Sequence, residues 1–282
     1  MTRTPTTARA VAGSIDNETG TNVFDNAGTF ETSFTSGTTT IGVAFNNTGT
    51  VNVGAGGTLD LSDGGTDVGA VYEGTGTVEF GGGTRTLDSA SSITSNAMFG
   101  GGTTTVNGTY NAISTTVDGG TANLLGTIAE LGATNISSGT LNIGSSTATV
   151  ASLTQSGGAL SGTGTLTVTG VASLGTSSGY LLESGSGTTD LQDGGTLGNT
   201  SYSPVLALDG GRVLQNENDG TFKWVSGTIY MGYNPFGTTV GGSTIVNAAG
   251  ATVSAEVSAP AISPPLTSGT WPPLDPLVHP PL

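Results

Sequence analysis

The sequence predicts an all-β fold in which short strands stack as the parallel coils of a solenoid, and three observations carry that expectation. Gly-Thr dipeptides open strings of alternating apolar and polar residues. The strings recur at intervals of roughly twenty residues, the spacing of a solenoid repeat. No window sustains the capped 3.6-residue periodicity of a helix.

The strings begin at Thr50, Thr58, Thr77, Thr121, Thr140, Thr165 and Thr188. In each, Gly provides the positive φ or close approach that a corner needs, and Thr, Val, Leu and Ile suit a pleated strand. Alternation then sorts the side chains: in Leu59-Asp60-Leu61 the leucines face the core and Asp60 the solvent. A unit of this size cannot bury its own apolar face, so it needs neighbours stacked on it, and three short strands with three turns fill one coil. With coils about 4.8 Å apart, about ten of them form a rod on the order of 50 Å long.

A second motif, Asn-x-Gly-Thr before Phe or Val, occurs at Asn26 to Phe30, Asn47 to Val51 and Asn218 to Phe222. Asn suits such corners because it tolerates the left-handed conformation and can stack, amide on amide, against Asn in the next coil. Gly and Thr interrupt every potential helix, leaving Ala122 to Leu131 as the best candidate for a short helical turn.

Composition narrows the class further. Glycine supplies 49 of 282 residues and charged residues only 9%, where about a quarter is usual, so this is not an ordinary globular surface. A hydrophobic fraction of 34%, dispersed in alternating strings, argues against a disordered tract, and the irregular Gly spacing excludes collagen. The absence of Cys removes disulfides and thiol chemistry and leaves packing and backbone hydrogen bonds to hold the fold. A net charge of −15 repels phosphate backbones and anionic membranes, so nucleic acid is not an expected partner. Nor is membrane insertion expected, since no run approaches about 18 apolar residues.

These features divide the chain into three: residues 1–13 as a disordered N-terminal segment, 14–258 as the β-helix, and 259–282 as a disordered Pro-rich tail. In the last segment Pro260, Pro264, Pro265, Pro272, Pro273, Pro276, Pro280 and Pro281 cannot donate to a ladder. The start, Met1 to Ala10, lacks the apolar core of a signal peptide, so either export uses another signal or the true N-terminus is missing, and a fragment of a larger protein is the expectation.

The Asn-x-Gly-Thr elements, the run Phe45-Asn46-Asn47-Thr48-Gly49-Thr50-Val51-Asn52-Val53 and the run Thr221-Phe222-Lys223-Trp224-Val225-Ser226-Gly227-Thr228-Ile229 resemble the strand repeats of autotransporter passenger domains and filamentous-haemagglutinin-like bacterial adhesins. The resemblance spans about residues 14 to 257. It implies a right-handed parallel β-helix with short Gly and Asn turns, export through translocation machinery not encoded in this chain, and a structural or adhesive role at the cell surface. Host or environmental glycans and surface proteins are the partners it implies.

Catalytic chemistry finds few candidates. The one His, His279, sits among prolines in the tail, which leaves a His-dependent triad without support. A carbohydrate-active enzyme would need paired carboxylates, for which Asp190 with Asp193, or Asp60 with Asp63 and Asp67, are the candidates. The Asp-Gly-Gly sequences at Asp63, Asp118, Asp193 and Asp209 read more simply as turns. Calcium could use the same acids, yet neither an EF-hand spacing nor a Gly-Gly-x-Gly-x-Asp repeat is present. No catalytic residue, metal ligand or cofactor is therefore expected.

For binding, the densest aromatic cluster is Phe222, Trp224, Tyr230, Tyr233 and Phe236, with Lys223 and Arg212 nearby. It is the expected glycan platform if one exists, and the alternative is a cap over the end of the core. Threonine rows such as Thr103, Thr104 and Thr105 raise an ice-binding reading. That reading requires rows that stay aligned from coil to coil, and the unequal coil lengths are expected to break them.

Overall fold

The computed structural model describes residues 7–10, 12–33, 36–177 and 179–255. Within these, the regular elements are all β-strands, and successive coils pair through parallel ladders. The protein is a parallel β-solenoid with three strands to a coil.

One coil conveys the design. Strands Thr29–Thr32, Gly37–Ile41 and Ala44–Asn47 take the chain round once. Strands Thr50–Val53, Gly57–Leu61 and Gly65–Asp67 then lie on them in the same order. The registers are Thr29 on Thr50, Thr38 on Thr58 and Asn47 on Asp67. The N–H and C=O groups of these strands are thus satisfied by neighbouring coils.

Alternation determines what lies inside. In Thr50–Val53 the buried residues are Val51 and Val53, and in Gly57–Leu61 Leu59 and Leu61 are buried while Asp60 points outward, half-buried. Inward residues of successive coils meet in register, for example Val78 on Leu59 and Phe80 on Phe99, whose rings stack with centroids 5.3 Å apart. Stacking turns many narrow apolar faces into one core running from Phe30 to Phe222.

Coil length varies while register persists. Asn26 pairs with Asn47 at a separation of 21 residues, Asn96 with Ser114 at 18, and Asn216 with Asn247 at 31. The surplus is taken up at corners and leaves the ladders intact. On one face, strands from Thr7–Ala10 to Thr127–Glu130 form a seven-stranded ladder, and strands from Thr147–Val150 to Thr244–Asn247 form a five-stranded one. The other two faces merge where strands Ser114–Leu124 and Ala133–Asn142 run continuously round a corner.

Asparagine acts as expected at the corners. Asn26 Nδ2 donates to Asn47 Oδ1 at 2.8 Å, both buried, and Asn216 donates likewise to Asn247 at 2.9 Å. Asn218, in the third Asn-x-Gly-Thr motif, has φ of 51° and is left-handed, as the turn reading requires. Glycine permits close approach of coils at Gly65, where an added Cβ would lie 2.0 Å from the Phe45 carbonyl oxygen.

Three expectations are corrected. Strand pairing begins inside residues 1–13: Thr7–Ala10 lies on Thr29–Thr32, and strand Gly13–Ile15 lies on Thr39 to Ile41. A parallel ladder needs only backbone groups, so a segment without large apolar residues can still add to it. Ala122 to Leu131 forms no helical turn. Ala122 and Leu124 point inward from a strand in register with Thr104 and Val106, and Thr127–Glu130 is the next strand. The third correction concerns threonine: Thr84, Thr103, Thr121 and Thr140 do stay aligned across four coils, because length differences fall at corners. The row ends at Ala159. The last described strand is Thr252–Ala255, and the expected tail, residues 259–282, lies outside the described residues, as does His279.

Candidate functional site

Two buried ion pairs lie in the solenoid interior. Asp67 is inward-facing in strand Gly65–Asp67, and Arg85, one coil later, contacts both of its carboxylate oxygens through Nη1 at 3.0 Å. Arg85 also donates to the carbonyls of Phe45 and Gly64, and Tyr72 donates its hydroxyl to Asp67 at 2.9 Å. Burial pushes the Asp67 carboxyl up, and the Arg85 guanidinium opposes it. Burial likewise pushes the Tyr72 hydroxyl far up, keeping it a donor. Nearer the C-terminal end, Arg212 contacts Glu183 at 3.2 Å and Thr189 Oγ1 at 2.7 Å, all fully buried.

The acids named for the enzymatic alternative have different local partners. Asp60 faces outward from its strand, Asp63 accepts from the Gly64 amide within a turn, and Asp67 belongs to the core pair. Asp190 accepts from Gln192 at 2.6 Å, while Asp193 lines a separate recess with Asp219 and Lys223. Among the described residues no three His, Cys, Asp or Glu side chains converge on a metal position.

The expected aromatic cluster divides in two. Phe222 and Trp224 are two apart on one strand and so share a face. Phe222 is 5% exposed within the core, and Trp224 packs against it while its indole N–H donates to the Gly227 carbonyl at 3.1 Å. Tyr230, Tyr233 and Phe236 point outward, 47%, 38% and 57% exposed. Arg212, expected beside them, is inside the core, and Lys223 faces the recess of Asp193.

A further aromatic residue joins the outward group. Tyr180, 43% exposed, has its ring centroid 6.3 Å from that of Tyr233, which lies 5.5 Å from Tyr230 in an edge-on arrangement. Tyr180 is distant in sequence and reaches the group because Leu182, on its own strand, is in register with Ala207, and Ala207 with Tyr230. Irregular coil lengths hide this alignment from sequence spacing.

Beside the aromatic group runs an open cleft of about 630 Å³. Its floor is made by corner residues of stacked coils, among them Ser137, Gly139, Ser156 and Gly158, and its sides include Tyr180 and Phe236. Among the described residues, no charged side chain lines it. With Ala159 and Leu182 also in the lining, the arrangement offers ring faces and apolar ground interspersed with hydroxyls and backbone groups, which is the chemistry of binding an uncharged molecule with both polar and apolar faces.

Fold and site together define the chain as a parallel β-solenoid bearing a lateral aromatic cleft. No family model matches the sequence, and neither a curated protein nor a solved structure is detectably similar to it.

Proposed function

We propose that this chain is a structural, adhesin-like stalk without catalytic activity, part of an exported protein displayed at the cell surface. The observation that carries the reading is the main core column: coils contact their neighbours in register, so the molecule grows along one axis and presents long lateral faces. Such a body serves as a spacer and as a platform. An acidic, charge-poor surface without cysteine agrees with that role, since nothing in the fold depends on a redox state. The resemblance to autotransporter passengers and haemagglutinin-like adhesins supports the export and surface parts of the reading.

Two measurements test it. Small-angle scattering of the purified chain is expected to give the pair-distance distribution of a rod, and a compact, near-spherical profile would refute the stalk. Protease shaving of intact cells producing the full-length protein is expected to release it. Complete protection of folded protein in intact cells, with cleavage after lysis, would overturn surface display.

A further inference from the structure

The longest coil departs from the wall of the rod for a reason visible in its contacts. Between strands Thr228–Met231 and Thr244–Asn247, residues 232–243 form a loop that runs back along the side of the solenoid. Gly232 N donates to the Leu208 carbonyl at 2.7 Å. Val240 N and Gly241 N donate to the Asp209 carboxylate at 3.0 and 2.6 Å. The tip is shaped by Asn234, which accepts from Phe236 N at 2.9 Å.

This anchored loop holds the Phe236 ring in solvent beside the cleft whose floor belongs to coils far earlier in the chain. Exposing Phe236 together with Tyr180, Tyr230 and Tyr233 on one side forgoes the burial that aromatic rings ordinarily gain, which marks the patch as a contact surface. The floor decides what it contacts. Ser137 and Ser156 sit at corners of adjacent coils, and Ser177 Oγ donates to the Ser156 carbonyl at 2.9 Å from the coil after. Hydroxyls and carbonyls therefore repeat along the rod axis about every 4.8 Å. An anionic polymer would meet a chain of net charge −15 with no cation among the described residues of the cleft.

We propose that the cleft binds a neutral polysaccharide chain laid along the rod axis, with Tyr180 and Phe236 stacking on sugar rings and the serine floor exchanging hydrogen bonds with hydroxyls. The proposal rests on the adhesive part of the stalk reading, but its test is separate from shape and surface display, so either can fail alone.

The experiment is affinity electrophoresis of the purified chain through gels containing hydroxyethylcellulose, xyloglucan, galactomannan or dextran, with polygalacturonate as the anionic control. At least one neutral polymer is expected to retard the protein and polygalacturonate is not. Tyr180→Ala and Phe236→Ala should each weaken retention about tenfold or more, the loss expected for removing a central aromatic contact. Tyr202→Ala, which removes an exposed tyrosine outside the cleft, should leave retention unchanged. Circular dichroism confirms that each variant folds. Should a cleft variant misfold, Tyr180→Phe and Phe236→Leu replace it, with the leucine expected to weaken retention and the phenylalanine to preserve it. No retention by any neutral polymer, equal retention by polygalacturonate, or retention indifferent to the cleft variants would overturn the proposal.

Discussion

Arg85 occupies a place that composition would assign to a leucine. The chain has five Lys and Arg residues in all, and two of them, Arg85 and Arg212, are fully buried. Alternation in Thr84-Arg85-Thr86-Leu87 turns Arg85 inward beside Leu87, and Gly65 in the register position one coil back leaves room for the guanidinium. Removing one partner of such a pair leaves the other charge buried and alone. Arg85→Ala is therefore expected to destabilise the solenoid by about 3–5 kcal/mol. Arg85→Met combined with Asp67→Leu should recover much of that loss, since it removes both charges and refills the space. Denaturation midpoints followed by circular dichroism check both, and an Arg85→Ala variant as stable as the parent would show that the pair contributes nothing.

At the scale of a strand and its neighbours, the outward rows matter as well as the inward ones. Glu79 lies in register with Asp60 on the adjacent coil, and Asp118 approaches from the other side. Burial first, then the charges of Asp60 and Asp118, raise the Glu79 carboxyl, and burial raises Asp60 against a hydrogen bond from Thr40. The folded chain thus holds these protons to higher pH than the unfolded chain does. Their contribution to stability is greatest below the unfolded carboxyl value, about 4.3 for Glu, and falls as pH rises through the raised folded value. Glu79→Gln should be more stable than the parent at pH 7. A melting point higher by on the order of 1–2 °C is expected for a partly solvated site, with the difference vanishing as pH drops below about 4. Melting curves at pH 7 and pH 3.5 check this, and a variant less stable at pH 7 would contradict it. Asp209 works in the opposite direction. Burial alone would raise it, but the amides of Gly241, Val240 and Gly210 outweigh burial and hold it low, so its hold on the loop strengthens as the carboxyl ionises.

For the whole molecule, stability should vary along the axis, because each coil is held only by its neighbours. The central strands Thr77–Phe80, Asn96–Phe99 and Ser114–Leu124 bury alternate side chains, whereas Thr228–Met231, Thr244–Asn247 and Thr252–Ala255 have no fully buried residue. Hydrogen exchange is expected to be slowest in the first group and to quicken toward the last. Uniform protection along the chain would mean that the coils unfold as one unit. The same one-dimensional architecture explains the site: a loop from one coil can hang over coils formed much earlier, because all of them lie along one wall.

Much of the fold was legible before any coordinates. Gly-Thr starts, two-residue alternation and the Asn-x-Gly-Thr corners identify Thr50, Thr58, Thr77, Thr121, Thr140, Thr165 and Thr188 as strand residues, and each lies in a strand. Local chemistry determines these because turn conformation and strand facing depend on neighbours a few residues away. The partners of Arg85 and Arg212, the alignment of threonines across coils, the inward turn of Phe222 and the meeting of Tyr180 with Tyr233 and Phe236 were decided by tertiary structure. Each depends on how many residues every intervening coil spends at its corners. Backbone ladders accept coils of 18 residues or 31 with the same pairing, so local pattern sets where a strand lies, and stacking sets which strands become neighbours.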